Sequence, residues 1–245
     1  MLFPFKAVLF DWAYTLVDLV SEDDRKAFRA LSNYMRDRGI YDGDFATVYD
    51  SYRELFYEMI DLSLETHREA CFEHVLKYFL IKLGIFGSES NYVEELLEVY
   101  YKSIYESRIV YQDTIPALEA LKTTRTRLGI ISNTTNPGFM KDWERRQMGL
   151  DDFFELSIYS SEVPYRKPHQ SIFNLAVYRM KLEPEEILFV GDNLQADVGG
   201  AQGAGMYAVW LNRSGQRNPG NIKPDYEITS LSQLTEVVSR VRKNN

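Results

Sequence analysis

Cysteine is nearly absent. Cys71 stands alone in 245 residues, so no internal disulfide, thiolate zinc site or redox pair can form, and a reducing compartment fits. Histidine is scarce too, with 3 in the chain. His67 and His74 are predicted on one helix face, but two nitrogens do not complete a metal site, so they are read as ordinary exposed or partly buried side chains. No run reaches the roughly 18 apolar residues of a membrane span. The opening Met1-Leu2-Phe3-Pro4-Phe5-Lys6 lacks a basic lead and passes directly into Asp11, unlike a secretory signal. A cytoplasmic protein with no membrane partner is expected. Basic charge is in deficit, 28 Lys and Arg against 36 Asp and Glu for a net of -8, so a phosphate backbone would meet net repulsion and no nucleic acid partner is expected.

What remains is ordinary for a folded protein: 45% hydrophobic and 26% charged residues, close to globular averages. The length exceeds one domain of roughly 150 residues and falls short of two, which points to one core carrying an insertion. Short apolar runs at Ala7 to Phe10, Leu128 to Ile131, Leu156 to Tyr159, Ile187 to Val190 and Tyr207 to Leu211 suit strands buried on both faces. Helical patterns cover Ile115 to Lys122, Gly138 to Gln147, His169 to Met180, Ala196 to Ala204 and Leu231 to Val241. Strands alternating with helices predict an α/β fold, a Rossmann-like parallel sheet flanked by helices.

Residues 18–108 read differently, as an all-helical unit inserted into a core made of 1–17 and 109–245. Apolar positions at Phe28, Leu31 and Met35, at Val48, Tyr52 and Phe56, at Phe72, Val75, Leu76 and Phe79, and at Val93, Leu96, Leu97, Tyr100 and Ile104 recur at helical spacing. They predict helices and no strand. Ser21, with Asp24 three residues on, resembles an N-terminal cap. The insert's many tyrosines are read as amphipathic packing rather than a substrate wall. The glycine-rich Gly199 to Gly205 follows a helix rather than a strand, so it reads as close helix packing and a helix end, not a dinucleotide loop.

In an open parallel sheet, ligands bind beyond the carboxyl ends of the strands. At such ends stand Asp11-Trp12-Ala13-Tyr14-Thr15-Leu16, Ser132-Asn133-Thr134, Arg166-Lys167-Pro168 and Gly191-Asp192-Asn193, with Asp197 shortly beyond. Taken in order, these segments resemble the four motifs of the haloacid dehalogenase superfamily, spread over the α/β core. The helical insertion between the first two resembles that superfamily's cap, and Pro224 to Leu231 resembles the last strand and helix of its core.

The resemblance implies a magnesium-dependent phosphatase of a small phosphorylated metabolite. Asp11 would be the nucleophile, forming an acyl phosphate and splitting one hard displacement into two easier ones. Mg²⁺ would be held by Asp11, Asp192 and the backbone carbonyl of Ala13, with water and phosphate completing the octahedron. Lys167 would hold Asp11 and the phosphoryl oxygens together, and Ser132 and the Asn133 amide would donate to the phosphoryl group. Thr15 and Asp197 would act from behind, Asp197 by orienting Lys167 or a metal-bound water, with direct ligation as the alternative.

One position departs from the pattern. Phosphatases of this superfamily carry a second aspartate two residues after the nucleophile, as general acid and then base; here that residue is Ala13. Three accounts follow: an aspartate replaced in an otherwise ordinary phosphatase, a chain similar to phosphonoacetaldehyde hydrolases, or a phosphate-binding regulatory protein without turnover. The second requires a cap lysine that forms an imine, with Lys26, Lys77, Lys82 and Lys102 as candidates, although Tyr14-Thr15-Leu16 departs from that group's Gly-Thr-Thr. A dehalogenase fits less well, since it would carry tyrosine in place of Ala13 and lack the Gly-Asp pair. Tyr14 is read as packing against the cap or lining its hinge.

Overall fold

The computed structural model describes residues 5–20, 23–86 and 90–240. Six parallel strands form the central sheet: β1 (Ala7–Phe10), β4 (Arg127–Ser132), β5 (Leu156–Tyr159), β6 (Ile187–Gly191), β7 (Tyr207–Leu211) and β8 (Tyr226–Ile228), in the order β5-β4-β1-β6-β7-β8. The chain runs outward from β1 through β4 and β5, then returns to β6 on the other flank of β1. That reversal places a crevice at the carboxyl end of β1, where open α/β sheets bind ligands.

Alternation along the strands explains why these runs are apolar throughout. Val8 and Phe10 of β1, with Leu188 and Val190 of β6, enter one core layer, covered by α5 (Thr114–Thr123) and α9 (Leu234–Arg240). Ala7 and Leu9, with Ile187 and Phe189, enter the other, covered by α7 (Gln170–Met180). Each face of the sheet is therefore dry, and period-2 geometry sends neighbouring residues into separate cores. His169 lies just before α7 and caps it, its side chain accepting from the Ser171 N–H. Val241, the expected end of the last helix, lies outside the described residues.

The insert comprises α1 (Asp24–Asp37), α2 (Phe45–Thr66), α3 (Phe72–Lys82) and α4 (Ser90–Tyr105). These helices pack around Phe28, Leu31, Tyr52, Phe72, Phe79 and Leu96. Tyr52, Tyr100 and Tyr101 are buried in or beside this cluster, whereas Tyr57 and Tyr78 face solvent. Met140 and Trp143, on α6 (Gly138–Gln147), join the cluster from the core side.

Several expectations are corrected. The insert is not bounded by helices alone: β2 (Val17–Leu19) and β3 (Arg108–Val110) pair antiparallel at its root, and the expected boundaries at 17/18 and 108/109 both fall inside this ribbon. The α1 cap is Asp23, which accepts from the Lys26 N–H at 3.1 Å, while Ser21 lies outside the described residues. His67 and His74 share no helix face, because His67 ends α2 in a left-handed conformation and His74 lies in α3.

The helix expected over Ala196 to Ala204 is present but starts two residues earlier and begins with a π-type turn, Leu194–Gly199, before the short α8 (Gly200–Gly203). Asn193 caps that turn by accepting from the N–H groups of Gln195 and Ala196. A side chain at Gly200 would strike Phe173 at 2.6 Å, so glycine here permits the close approach of α7. No helix among the described residues is long and apolar enough to cross a membrane.

Candidate active site

Asp11 follows β1 directly, and its N–H donates to the Val190 carbonyl at 2.9 Å, tying the loop's first residue to β6. Asp192 follows β6. Asp197 arrives from the π-type turn, where its Oδ2 accepts from the Asn193 N–H at 3.0 Å. Carboxylate oxygens of Asp11, Asp192 and Asp197 all lie within 4.8 Å of one another. Gly191 makes this possible, since a Cβ there would meet Asp197 Oδ2 at 2.3 Å.

Lys167 reaches into the group from the loop after β5. Its buried ammonium lies 2.6 Å from Asp11 Oδ1 and 2.8 Å from Asp197 Oδ1, and it donates to the Ile131 carbonyl at 2.8 Å. Asn133 fixes that lysine. Its Oδ1 accepts from the Lys167 N–H at 2.8 Å and its Nδ2 donates to the Lys167 carbonyl at 2.9 Å. One N–H of the Asn133 side-chain amide is thereby committed to the loop. Thr15 is fully buried, with its hydroxyl 3.4 Å from Asp192 Oδ1, and Trp210 Nε1 donates to the Asp192 carbonyl at 2.9 Å.

The electrostatics are those of crowded acids. Burial raises the Asp11 carboxyl to about 6, opposed by Lys167 and reinforced by Asp197. Burial also raises Asp192 to about 7, helped by the charges of Asp11 and Asp197. Lys167 is held above the usual lysine range: burial pulls it down, but the two carboxylates more than reverse this. One ammonium facing three carboxylates leaves an excess of negative charge. An all-oxygen, acid-rich donor set of this kind suits a hard divalent cation such as Mg²⁺ rather than a softer metal.

Two cavities flank the carboxylates. The one between core and insert, about 270 Å³, is lined by Trp12, Ala13, Ser132 and Asn133 on the core side and by Ile60, Leu64 and Glu69 from the insert. Ser132 is buried, and its hydroxyl lies 3.5 Å from the Asn133 carbonyl. The insert's α2–α3 loop and the first residue of α3 dock onto the core, the Arg166 N–H donating to the His67 carbonyl at 2.8 Å and the Phe72 N–H to the Thr135 carbonyl at 2.7 Å. Glu69 adds bonds from Ser160 at 2.6 Å and Arg166 at 3.3 Å. The second cavity, about 610 Å³, opens beside Asp192 and is lined by Tyr14, Tyr111, Trp210 and Arg213 among others. Tyr14 is half exposed there, with φ 59° in the left-handed region.

Sequence reasoning missed the cations of the smaller cavity. Arg108, Lys141 and Arg166 all line it; Arg166 was named only as part of the strand-end segment Arg166-Lys167-Pro168, and for the other two the i, i+3 spacing of Lys141 and Glu144 was the local signal. None of the four candidate cap lysines lines it. Lys26, Lys77, Lys82 and Lys102 instead pair with Glu106, Glu73, Glu54 and Glu98 on the outer surface.

Comparison with known proteins bears on the family and the fold. Haloacid dehalogenase-like hydrolases match residues 5–205. A glyceraldehyde 3-phosphate phosphatase of Methanopyrus kandleri is 30% identical, with 98% of this chain and 99% of that protein covered. Among solved structures, a phosphatase of the same family from Thermococcus onnurineus is 31% identical at a TM-score of 0.65, over 96% of this chain and 98% of that one. A 2-haloacid dehalogenase from Pseudomonas syringae is 27% identical at a TM-score of 0.74, over 97% and 99%. With its sheet order, its strand-end carboxylates and these relatives in agreement, the chain belongs to the haloacid dehalogenase-like hydrolases.

Proposed function

We propose that this hydrolase is a magnesium-dependent phosphatase of a small phosphorylated metabolite, acting through a phosphoryl group carried on Asp11. The observation that carries this reading is the meeting of Asp11, Asp192, Asp197 and Lys167 at one end of the sheet. A carboxylate oxygen of Asp11 attacks phosphorus, and the bond to the leaving oxygen breaks with its electron pair. Water then attacks the phosphorus of the acyl phosphate, releasing inorganic phosphate and restoring the carboxylate. Lys167 keeps Asp11 aimed and adds fixed positive charge near the phosphoryl oxygens, with Ser132 and the Asn133 N–H as donors. Asp11, Asp192 and the Ala13 carbonyl would hold Mg²⁺, with Asp197 kept on Lys167; the cation supplies charge neutralisation to the transferring group.

The cavity of about 270 Å³ between core and insert, bordered by Ala13 and Ser132, offers space for the organic part of a small substrate. Relatives named glyceraldehyde 3-phosphate phosphatase make a three-carbon phosphorylated aldehyde the first substrate to test. The imine route has no cap lysine in the cavity, and Lys141, the lysine that lines it, sits on core helix α6 bonded to Glu144. The test is phosphate release from glyceraldehyde 3-phosphate and from p-nitrophenyl phosphate, with Mg²⁺ and with a chelator. Magnesium-dependent release that disappears in Asp11→Asn is expected. Tight, magnesium-dependent binding of phosphate without any release would favour the regulatory account.

Binding of the cation should be pH-linked. Asp11 at about 6 and Asp192 at about 7 each hold a proton that Mg²⁺ must displace. Apparent affinity is expected to level off above pH 7, to weaken about tenfold per unit between pH 7 and 6, and to weaken more steeply below. The stability sign is opposite for the metal-free protein. Both folded values lie above the ordinary 3.8, so the folded state holds the extra protons and stability falls as pH rises from about 4 to 7. Melting temperatures with and without Mg²⁺ at pH 5.5 and 8 measure this. A magnesium-induced rise equal at both values would contradict it.

A further inference from the structure

Glu144 is fully buried on α6, and its side chain touches three other parts of the chain as well as Lys141 of its own helix. Oε1 accepts from the Trp12 indole N–H at 2.9 Å, and Trp12 is the residue after the nucleophile. Oε2 accepts from the Tyr101 hydroxyl on insert helix α4, and from Arg108, in the ribbon at the insert's root, at 2.7 Å. Lys141, one turn away on α6, donates to the same oxygen. Arg108 also lies 3.2 Å from the Tyr101 hydroxyl, and the Lys141 ammonium sits 5.3 Å above the Trp12 ring. Burial would raise this carboxyl, but Lys141 and Arg108 hold it down at about 2, so it is an anion wherever the protein is folded near neutrality.

One rigid, planar group thus accepts the nucleophile loop on one oxygen and the insert on the other. The orientation of the carboxylate is set jointly by the donors on both oxygens, so a change among those on one is felt by the donor on the other, because bonds to a buried charge are short, directional and costly to leave unmade. Trp12, Arg108 and Lys141 are at the same time wall residues of the smaller cavity. We infer that Glu144 is a positioning residue that makes the alignment of the loop carrying Asp11 depend on the seating of the helical insert. It touches no reacting atom; it transmits. A displaced α4 loosens the Tyr101 bond, the carboxylate turns, and Trp12 loses its anchor beside the nucleophile.

Neighbouring tyrosines supply the test. Tyr101→Phe removes one hydroxyl from the Glu144 junction. Tyr100→Phe removes a hydroxyl from the same helix, but one that donates to Asp24 within the insert at 2.7 Å. The loop reports through three amides: Tyr14 N–H to the Val17 carbonyl at 2.7 Å, and Leu16 and Val17 N–H to the Trp12 carbonyl at 2.9 and 3.1 Å. Amide hydrogen exchange on the full chain is expected to quicken at these positions by about tenfold in Tyr101→Phe and to stay within about twofold of the parent in Tyr100→Phe. Unchanged exchange in Tyr101→Phe, or an equal response in both variants, would overturn the proposal.

A kinetic arm rests on the phosphatase reading above. With p-nitrophenyl phosphate and Mg²⁺, kcat is expected to fall about tenfold in Tyr101→Phe with KM within about twofold. Trp12→Phe should lower kcat similarly, and the double variant should fall no further than the lower single one, since both act through one carboxylate. Additive losses would refute the shared junction. If the parent releases no phosphate at all, the phosphatase reading fails, and the exchange comparison alone still decides the role of Glu144.

Discussion

Ala13→Asp is expected to raise kcat for an alkyl phosphate such as glyceraldehyde 3-phosphate by about 10² to 10⁴, the usual range for general acid–base catalysis. An alkoxide is a poor leaving group and needs a proton as the P–O bond breaks; a methyl side chain has none to give. Nitrophenolate leaves without protonation, so p-nitrophenyl phosphate should change by less than about tenfold in the same variant. The ratio of the two rates is the diagnostic, because it cancels differences in folding and in protein concentration. Position 13 is partly exposed, and it borders the cavity that also contains Arg108 and Lys141. A new carboxylate there would therefore face open space rather than packed core. If the parent already cleaves both esters at similar rates and the variant gains nothing, another residue supplies the proton and the phosphatase account must be redrawn around it.

How far the sequence could be read depended on whether the relevant interaction was local. β1 and β6 were legible because both faces of each strand are dry, so each shows an unbroken apolar run, ended by Asp11 after β1 and by Gly191-Asp192 after Ile187 to Val190. The π-type turn was not, because Ala196 to Ala204 keeps helical composition; the departure comes from Asn193 capping it and from Asp197 bonding back to the Asn193 N–H. The ribbon of β2 and β3 was invisible for another reason. Val17-Asp18-Leu19 and Arg108-Ile109-Val110 are too short to show a period, and each becomes a strand only when the folded insert brings the other alongside. His67 illustrates a third failure: an amphipathic pattern does not reveal that one residue adopts φ 55° and ends the helix.

The site divides the same way. Asp11, Ser132 and Asp192 stand directly at strand ends, so topology alone gathers them, whatever the side chains do. What topology leaves open is who bonds to whom. Asn133 clamps Lys167 with its side chain. Glu144, Arg108 and Tyr101 lie on different elements and meet only through tertiary packing. Residues whose function is to hold other residues carry no positional signature, because their partners are chosen by the finished fold.

Lys167→Met should be the most damaging single substitution short of replacing the nucleophile. The side chain is almost wholly buried and its ammonium is shared by Asp11, Asp197 and the Ile131 carbonyl. Methionine fills much the same volume, so packing is largely kept and charge is what disappears. Removing one partner from a buried ion pair costs about 3–5 kcal/mol, and loss of a preorganised charge at the reacting group lowers kcat by about 10² to 10³. The pH dependence separates charge from packing. Lys167 lowers the Asp11 carboxyl, which burial nonetheless raises to about 6; without the lysine, Asp11 takes up its proton at still higher pH. A protonated carboxyl needs no counter-charge, so the stability deficit should be large at pH 8 and shrink as pH falls toward 5. Urea unfolding of both proteins at those two values, without metal, gives the comparison, and saturating Mg²⁺ at pH 8 should recover part of the loss by replacing the missing positive charge. A deficit of the same size at both pH values would mean that the lysine stabilises through its alkyl chain, and its electrostatic role toward Asp11 would have to be abandoned.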